Sequence, residues 1–238
     1  MSDDSVASVL LLLRLKAFAP SAVIADRLGL EPDRVDARMD LLAAEGWVQL
    51  RSGLAAGWSL TPAGRRHGEQ LLQAEVHAAG ALVQLDACYR GFLPLNSELL
   101  AVCTDWQTVS VDGQLVPNDH SDAARDAAVL ARLDALHGSA VPVLDALADT
   151  SDRFGTYAER LARAHDHVAA GRTEWIAKPT VDSYHGVWFE LHEQLLVTLG
   201  RERSTEPLPE YVPTTPGPIT RNGPITRNGP FTQNGENE

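Results

Sequence analysis

The densest run of side chains able to bind a ligand or move a proton is Asp182-Ser-Tyr-His-Gly-Val-Trp-Phe-Glu-Leu-His-Glu193, late in the chain. A shorter run, Cys103-Thr-Asp-Trp-Gln107, adds Asp105 and Trp106. On a helical wheel of about 100° per residue, Tyr184, Trp188, Leu191, Leu195 and Leu199 form an apolar stripe. His185, Phe189, His192 and Leu196 lie along its flank. His185 or His192 beside Asp105, Glu190 or Glu193 has the ingredients of general acid–base chemistry. No nucleophile elbow, phosphate loop or metal signature accompanies them, so no catalytic residue, cofactor or metal is assigned. A shared metal fails on geometry. Seven residues at about 1.5 Å rise separate His185 from His192 by about 10 Å. His165 and His167, two apart, point to nearly opposite faces of a helix. The six residues Asp105, Trp106, Tyr184, His185, Trp188 and His192 do suit an apolar ligand pocket with a polar rim. The competing reading makes the aromatic residues plain core and the histidines satisfied groups at a packing seam.

These residues belong to a stretch, 76–204, whose pattern is helical almost throughout. Helices fit 76–90 (either continuing the one that begins at Pro62 or following a break near Gly80), 95–107, 121–137, 140–149, 152–170 and 182–200. Asp112-Gly113 and Pro117-Asn118 mark a long loop or hairpin-like excursion between 107 and 120. The expected class of this region is all-α, and its expected role is ligand sensing or assembly. From about residue 205 the composition turns to Pro, Thr, Asn and Gly, with a six-residue repeat beginning at Pro218, Pro224 and Pro230. Apolar content there is too low to offset ordering entropy, so 205–238 reads as a disordered tail.

Residues 1–75 have a different grammar. A first helix fits Ser5 to Phe18 and ends before Pro20. A second opens at Ser21 as N-cap and is broken by Gly29; a third opens at Pro32, carries Val35, Met39 and Leu42 inward, and ends at Gly46. Trp47 to Arg51 and Trp58 to Leu60 read as a strand pair around a Gly-containing loop. Thr61-Pro62 then starts another helix. Helix, helix, turn, helix, hairpin, helix is the order of a winged helix-turn-helix, so the expected fold is mainly α with a small β-hairpin wing at its N-terminal end.

The strings Leu41-Leu-Ala-Ala-Glu-Gly-Trp-Val-Gln-Leu50 and Leu60-Thr-Pro-Ala-Gly64 resemble the stretches that enter and leave the wing in regulators of the multiple-antibiotic-resistance (MarR) type. The resemblance covers about 70 residues. It implies a transcription regulator that binds double-stranded DNA as a homodimer, with the third helix in the major groove. Arg34 and Arg38 would then face bases, and Arg51, Arg65 and Arg66 would meet phosphates. Glu31, Asp33, Asp36 and Asp40 share the third helix region, and Gly53 to Gly57 has no basic tip. An alternative therefore stands beside DNA: a winged helix used as a protein-docking surface. The strings around 95–107, 116–122 and 182–200 weakly resemble a helical domain of actinobacterial proteins, found with winged-helix regulators and with proteins related to phosphoenolpyruvate-utilising enzymes. That resemblance implies, for the alternative, an accessory module of such an enzyme.

Charge sets a limit on either partner. The chain carries 32 acidic and 20 basic side chains, a formal net charge of −12. Residues 1–75 hold 10 acidic and 8 basic groups, the remainder 22 and 12. Attraction to nucleic acid must therefore come from local arginine placement. Lysine occurs only at Lys16 and Lys178, an arginine bias that fits a high-GC, actinobacterial genome. Cys88 and Cys103, without CxxC spacing, read as reduced thiols. The apolar run Val9 to Leu13 is too short to span a bilayer and no other segment reads as long enough, so the expected location is the cytoplasm, with no membrane partner.

Overall fold

The computed structural model describes residues 3–53 and 56–206. The chain is mainly helical, with two small two-stranded antiparallel sheets among the described residues. The expected disordered tail lies outside the described residues, apart from its first two positions, as does the tip of the first hairpin at Leu54 and Ala55.

The N-terminal elements are α1 (Asp3–Lys16), α2 (Ser21–Leu28), α3 (Pro32–Ala44), β1 (Val48–Arg51), β2 (Gly57–Leu60) and α4 (Pro62–Ala78). Their boundaries follow from local chemistry. Gly29 closes α2 in the left-handed region at φ 61°, which costs an L side chain about 1 kcal/mol and glycine almost nothing. Thr61 caps α4 by accepting from the Gly64 N–H at 3.0 Å, and Pro62 occupies the first turn, where its missing N–H is not needed. Ser21 is not the cap of α2. Pro20 takes that position, and Ser21 Oγ instead accepts from Trp58 Nε1 at 3.2 Å, tying α2 to the hairpin. β1 pairs with β2 in the register Val48↔Leu60, and β2 also bridges to Ala19 through Trp58. Two glycines permit close approach. A Cβ on Gly57 would lie 2.7 Å from the Ala19 carbonyl carbon, and one on Gly64 would lie 1.8 Å from the Trp47 carbonyl oxygen.

The remaining elements are α5 (Leu82–Gln107), β3 (Thr108–Val111), β4 (Gln114–Pro117), α6 (Ala123–Thr150), α7 (Thr156–Ala169) and α8 (Tyr184–Leu199). Three expectations are corrected here. One helix, α5, replaces the pair expected over 76–90 and 95–107, and α6 likewise replaces 121–137 and 140–149. Pro94 and Pro142 sit inside these helices on exposed faces. Each removes one hydrogen bond, but buried neighbours (Phe92 and Leu99, Ala140 and Leu144) anchor both sides of the break. The all-α class is also too narrow, and of the two readings of 107–120 the hairpin is the one formed: β3 and β4 pair around turn residues Asp112 and Gly113, both with positive φ, 52° and 79°. α6 is, by length and composition alone, apolar enough to cross a membrane, which the sequence reading missed. It supplies Val129, Leu133, Leu136, Ala140, Leu144 and Leu147 to the core.

Two apolar clusters organise the chain. One gathers Leu10, Leu13, Ile24, Val35, Met39, Leu42 and Trp58; the other gathers Leu85, Phe92, Leu133, Leu144, Leu161, Tyr184 and Leu191. Ala7, Leu11, Leu72 and Val197 form a small third cluster between them, joining α1, α4 and α8. The unbroken run Val9 to Leu13 is thereby explained. A helix buried on more than one side needs apolar residues all round.

Candidate functional site

The five arginines singled out in the N-terminal region share an environment. Arg34, Arg51, Arg65 and Arg66 are exposed and Arg38 is half-buried. None of them forms an ion pair among the described residues, whereas every other described arginine except Arg172 does. Among the described residues neither Arg34 nor Arg38 pairs with an aspartate of its own helix. α3 turns Val35, Met39 and Leu42 inward, packs on α2 and β1, and leaves its charged side in solvent. That side also shows Asp33, Asp36 and Asp40, so the helix itself carries one more acid than base. Leu41 and Leu50 are exposed nearby in sequence, at 59% and 68%. Arg65 and Arg66 stand in the first turn of α4, beside a stack of Trp47 on His67 with centroids 3.9 Å apart.

The six candidate pocket residues do not converge on one site. Asp105 is buried and accepts from Arg132 Nη1 at 2.6 Å, with Arg125 3.8 Å away, while Glu98 takes Arg132 Nε at 2.9 Å. Trp106 lies against His120, centroids 4.5 Å apart. Tyr184 is fully buried, its hydroxyl 3.3 Å from His137 Nδ1. Trp188 stacks on Phe92 at 4.7 Å and donates its Nε1–H to Asn96 Oδ1 at 3.1 Å. His185 is half-buried, and burial pushes its pKa below the ordinary histidine value. His192 is 1% exposed and meets Glu206 at 2.7 Å; burial pushes its pKa down against the opposing pull of that carboxylate. Tyr89 shares Glu206, and burial with that acid raises its phenol to about 12. Tyr184 and Trp188 are brought together, ring centroids 6.1 Å apart, and His192 shares the Phe92 ring with Trp188, but Asp105 is held elsewhere by α6 and Trp106 by the loop after β4. None of the six lines the three clefts described along the junction of α1, α2 and α4 with the later helices.

That junction holds a charged cluster that sequence reasoning missed. Arg160 donates to Asp182 at 2.9 and 2.7 Å and to Glu190 at 2.7 Å. Arg27 reaches Asp182 at 3.1 Å, and Lys16 pairs with Glu190. Arg14 joins Glu69 to Glu193, the latter at 2.8 Å. Burial opposes ionisation of Asp182, but the bonds from Arg160 and the charge of Arg27 outweigh it and hold the carboxyl far below the usual range. Cations of α1 and α2 thereby grip acids around α8. No sequence signal marks these pairs, whose members stand 155 and 174 positions apart for Arg27–Asp182 and Lys16–Glu190.

Among the described residues no three His, Cys, Asp or Glu side chains are grouped to hold a metal ion. Cys88 and Cys103 are buried free thiols, and burial raises the Cys103 thiol to about 12, far from a reactive thiolate. Compared with known proteins, the chain matches no family model, no curated protein and no solved structure.

Proposed function

We propose that residues 3–78 are a winged helix-turn-helix and that the protein is a cytoplasmic transcription regulator that binds double-stranded DNA through α3 and the β1–β2 hairpin. The observation that carries this reading is the separation of the arginines. Those of the junction are neutralised by carboxylates, whereas Arg34, Arg38, Arg51, Arg65 and Arg66 form no ion pair among the described residues and four of them are exposed. Unpaired guanidinium groups retain their counterions and donors for phosphates and base edges. The element order, the Gly29 turn and the bridge from Ala19 to Trp58 support the winged-helix part. Two copies on a two-fold operator fit the expected homodimer.

The test is a genomic DNA pull-down with the native protein, followed by a salt titration on the recovered duplex. Arg34→Ala and Arg38→Ala are each expected to weaken binding about 5- to 100-fold, and Arg51→Ala to lower the salt slope by about 1. Binding that ignores salt, or that survives all three changes, would sink the DNA reading. A second reading has its own observation: exposed Leu41 and Leu50 beside an acidic α3 suit a protein surface better than a polyanion. It makes the winged helix the docking face of an accessory module for a phosphoenolpyruvate-utilising type of enzyme. Retention of such an enzyme by the wild-type chain and its loss with Leu41→Asp, without DNA binding, would select it.

A further inference from the structure

A cleft of about 680 Å³ opens between α4, the C-terminal end of α6 and the 3-10 turn Asp152–Phe154. Its volume lies within the range of pockets that enclose drug-sized molecules, about 300–1,000 Å³. Leu72, Val76 and Phe154, all buried core residues, form its apolar floor. Thr198 of α8 also lines it; this side chain is 5% exposed, and its Oγ1 has no hydrogen-bond partner. A buried hydroxyl left without a partner is destabilising, so the floor is incomplete as it stands. The rim is acidic. Arg153 is the one cation among the described lining residues, and both Glu75 oxygens already take its Nε, at 2.8 and 2.7 Å. Asp149 and Asp152 line the same cleft, are exposed, and have no ion-pair partner among the described residues.

We propose that this cleft binds an organic cation with an apolar body, the body lying on Leu72, Val76 and Phe154 and the charge facing Asp149 and Asp152. Two unpaired carboxylates on an apolar site, in a chain of net charge −12, attract cations and repel anions of the same shape. The wall of the cleft is α4, which starts at the hairpin and seats Gly64 under Trp47. Occupancy therefore bears on the proposed DNA-contacting face. The inference deepens the sensing half of the regulator reading, and its binding step is measured without DNA.

The experiment is calorimetry on the full chain with two probes of matched shape and opposite charge, tetraphenylphosphonium and tetraphenylborate. Saturable binding of the phosphonium at one per chain is expected, with binding of the borate at least tenfold weaker. Asp149→Asn with Asp152→Asn, both at exposed positions, is expected to weaken the phosphonium about 5- to 10-fold. Ala78→Trp, which fills the cleft from the exposed side of α4, is expected to abolish binding, with the melting temperature of each variant checking its fold. No saturable binding, equal binding of the borate, or unchanged affinity in the double Asn variant overturns the proposal. Repeating the duplex titration with and without the phosphonium then reads the regulator hypothesis separately: absence of DNA binding leaves the calorimetric result intact.

Discussion

Asp182 accepts from Arg160 and Arg27 and also lies 3.1 Å from Arg163, so one carboxylate serves three guanidinium groups from two parts of the chain. Asp182→Asn keeps the shape but strips the charge, leaving Arg160 partly buried and short of a counterion. It is expected to cost about 2–4 kcal/mol in denaturant titration at pH 7, and a loss within about 0.5 kcal/mol would show the cluster to be incidental. The histidines act in a different pH window. Burial lowers the pKa of His185 and of His192 below 6.5, so the native chain binds fewer protons than the unfolded chain once pH drops under that value. Their contribution is complete above 6.5 and is lost as pH falls through their lowered native values. Stability is expected to fall between pH 7 and 5 by at most about 1.4 kcal/mol per unit for each group. His185→Gln is expected to flatten that slope, measured as the shift of the urea midpoint with pH. Asp182 stays ionised throughout this range, so the two effects separate.

At the scale of elements, the hairpin and α4 are coupled through a missing side chain. Gly64 lies in the first turn of α4, where a methyl group would collide with the Trp47 carbonyl at 1.8 Å. Gly64→Ala is expected to destabilise the chain by about 3 kcal/mol or more, because backbone rather than a flexible side chain has to move. Gly29→Ala meets no atom within 4 Å and carries only the left-handed strain, about 1 kcal/mol. Melting curves of the two variants should therefore be well separated; equal melting temperatures would contradict the close approach. Gly29 was legible as the residue that breaks the second helix, whereas the need for glycine at 64 was not, because it comes from the Trp47 carbonyl packed against the start of α4. Periodicity also misjudged α5 and α6. Pro94 and Pro142 are local breakers, and the packing that overrides them comes first from α5 and α6 lying along each other, with α8 and α7 adding to it.

For the whole molecule, α1 is the central fact of assembly. Its leucines feed the N-terminal core, its Ala7 and Leu11 feed the bridging cluster, and its Arg14 and Lys16 reach the acids of α8. The apolar run was visible from the start, whereas its two-sided burial was not. Composition set the net charge, and with it the expectation that any nucleic-acid contact rests on a few arginines. The order of helices and hairpin in residues 3–78 was likewise determined by sequence alone, since caps, turn glycines and helix-starting prolines act within four or five residues of themselves. The grouping of the candidate pocket residues was not. Whether Trp188 meets Asn96, Asp105 meets Arg132, or an arginine is neutralised or left free depends on partners 92, 27 and up to 179 positions away. Those distances in sequence are closed only by tertiary packing, of α5, α6 and α8 around one core and of α1 against α8, and that packing decided which charges are paired within the fold and which are left unpaired.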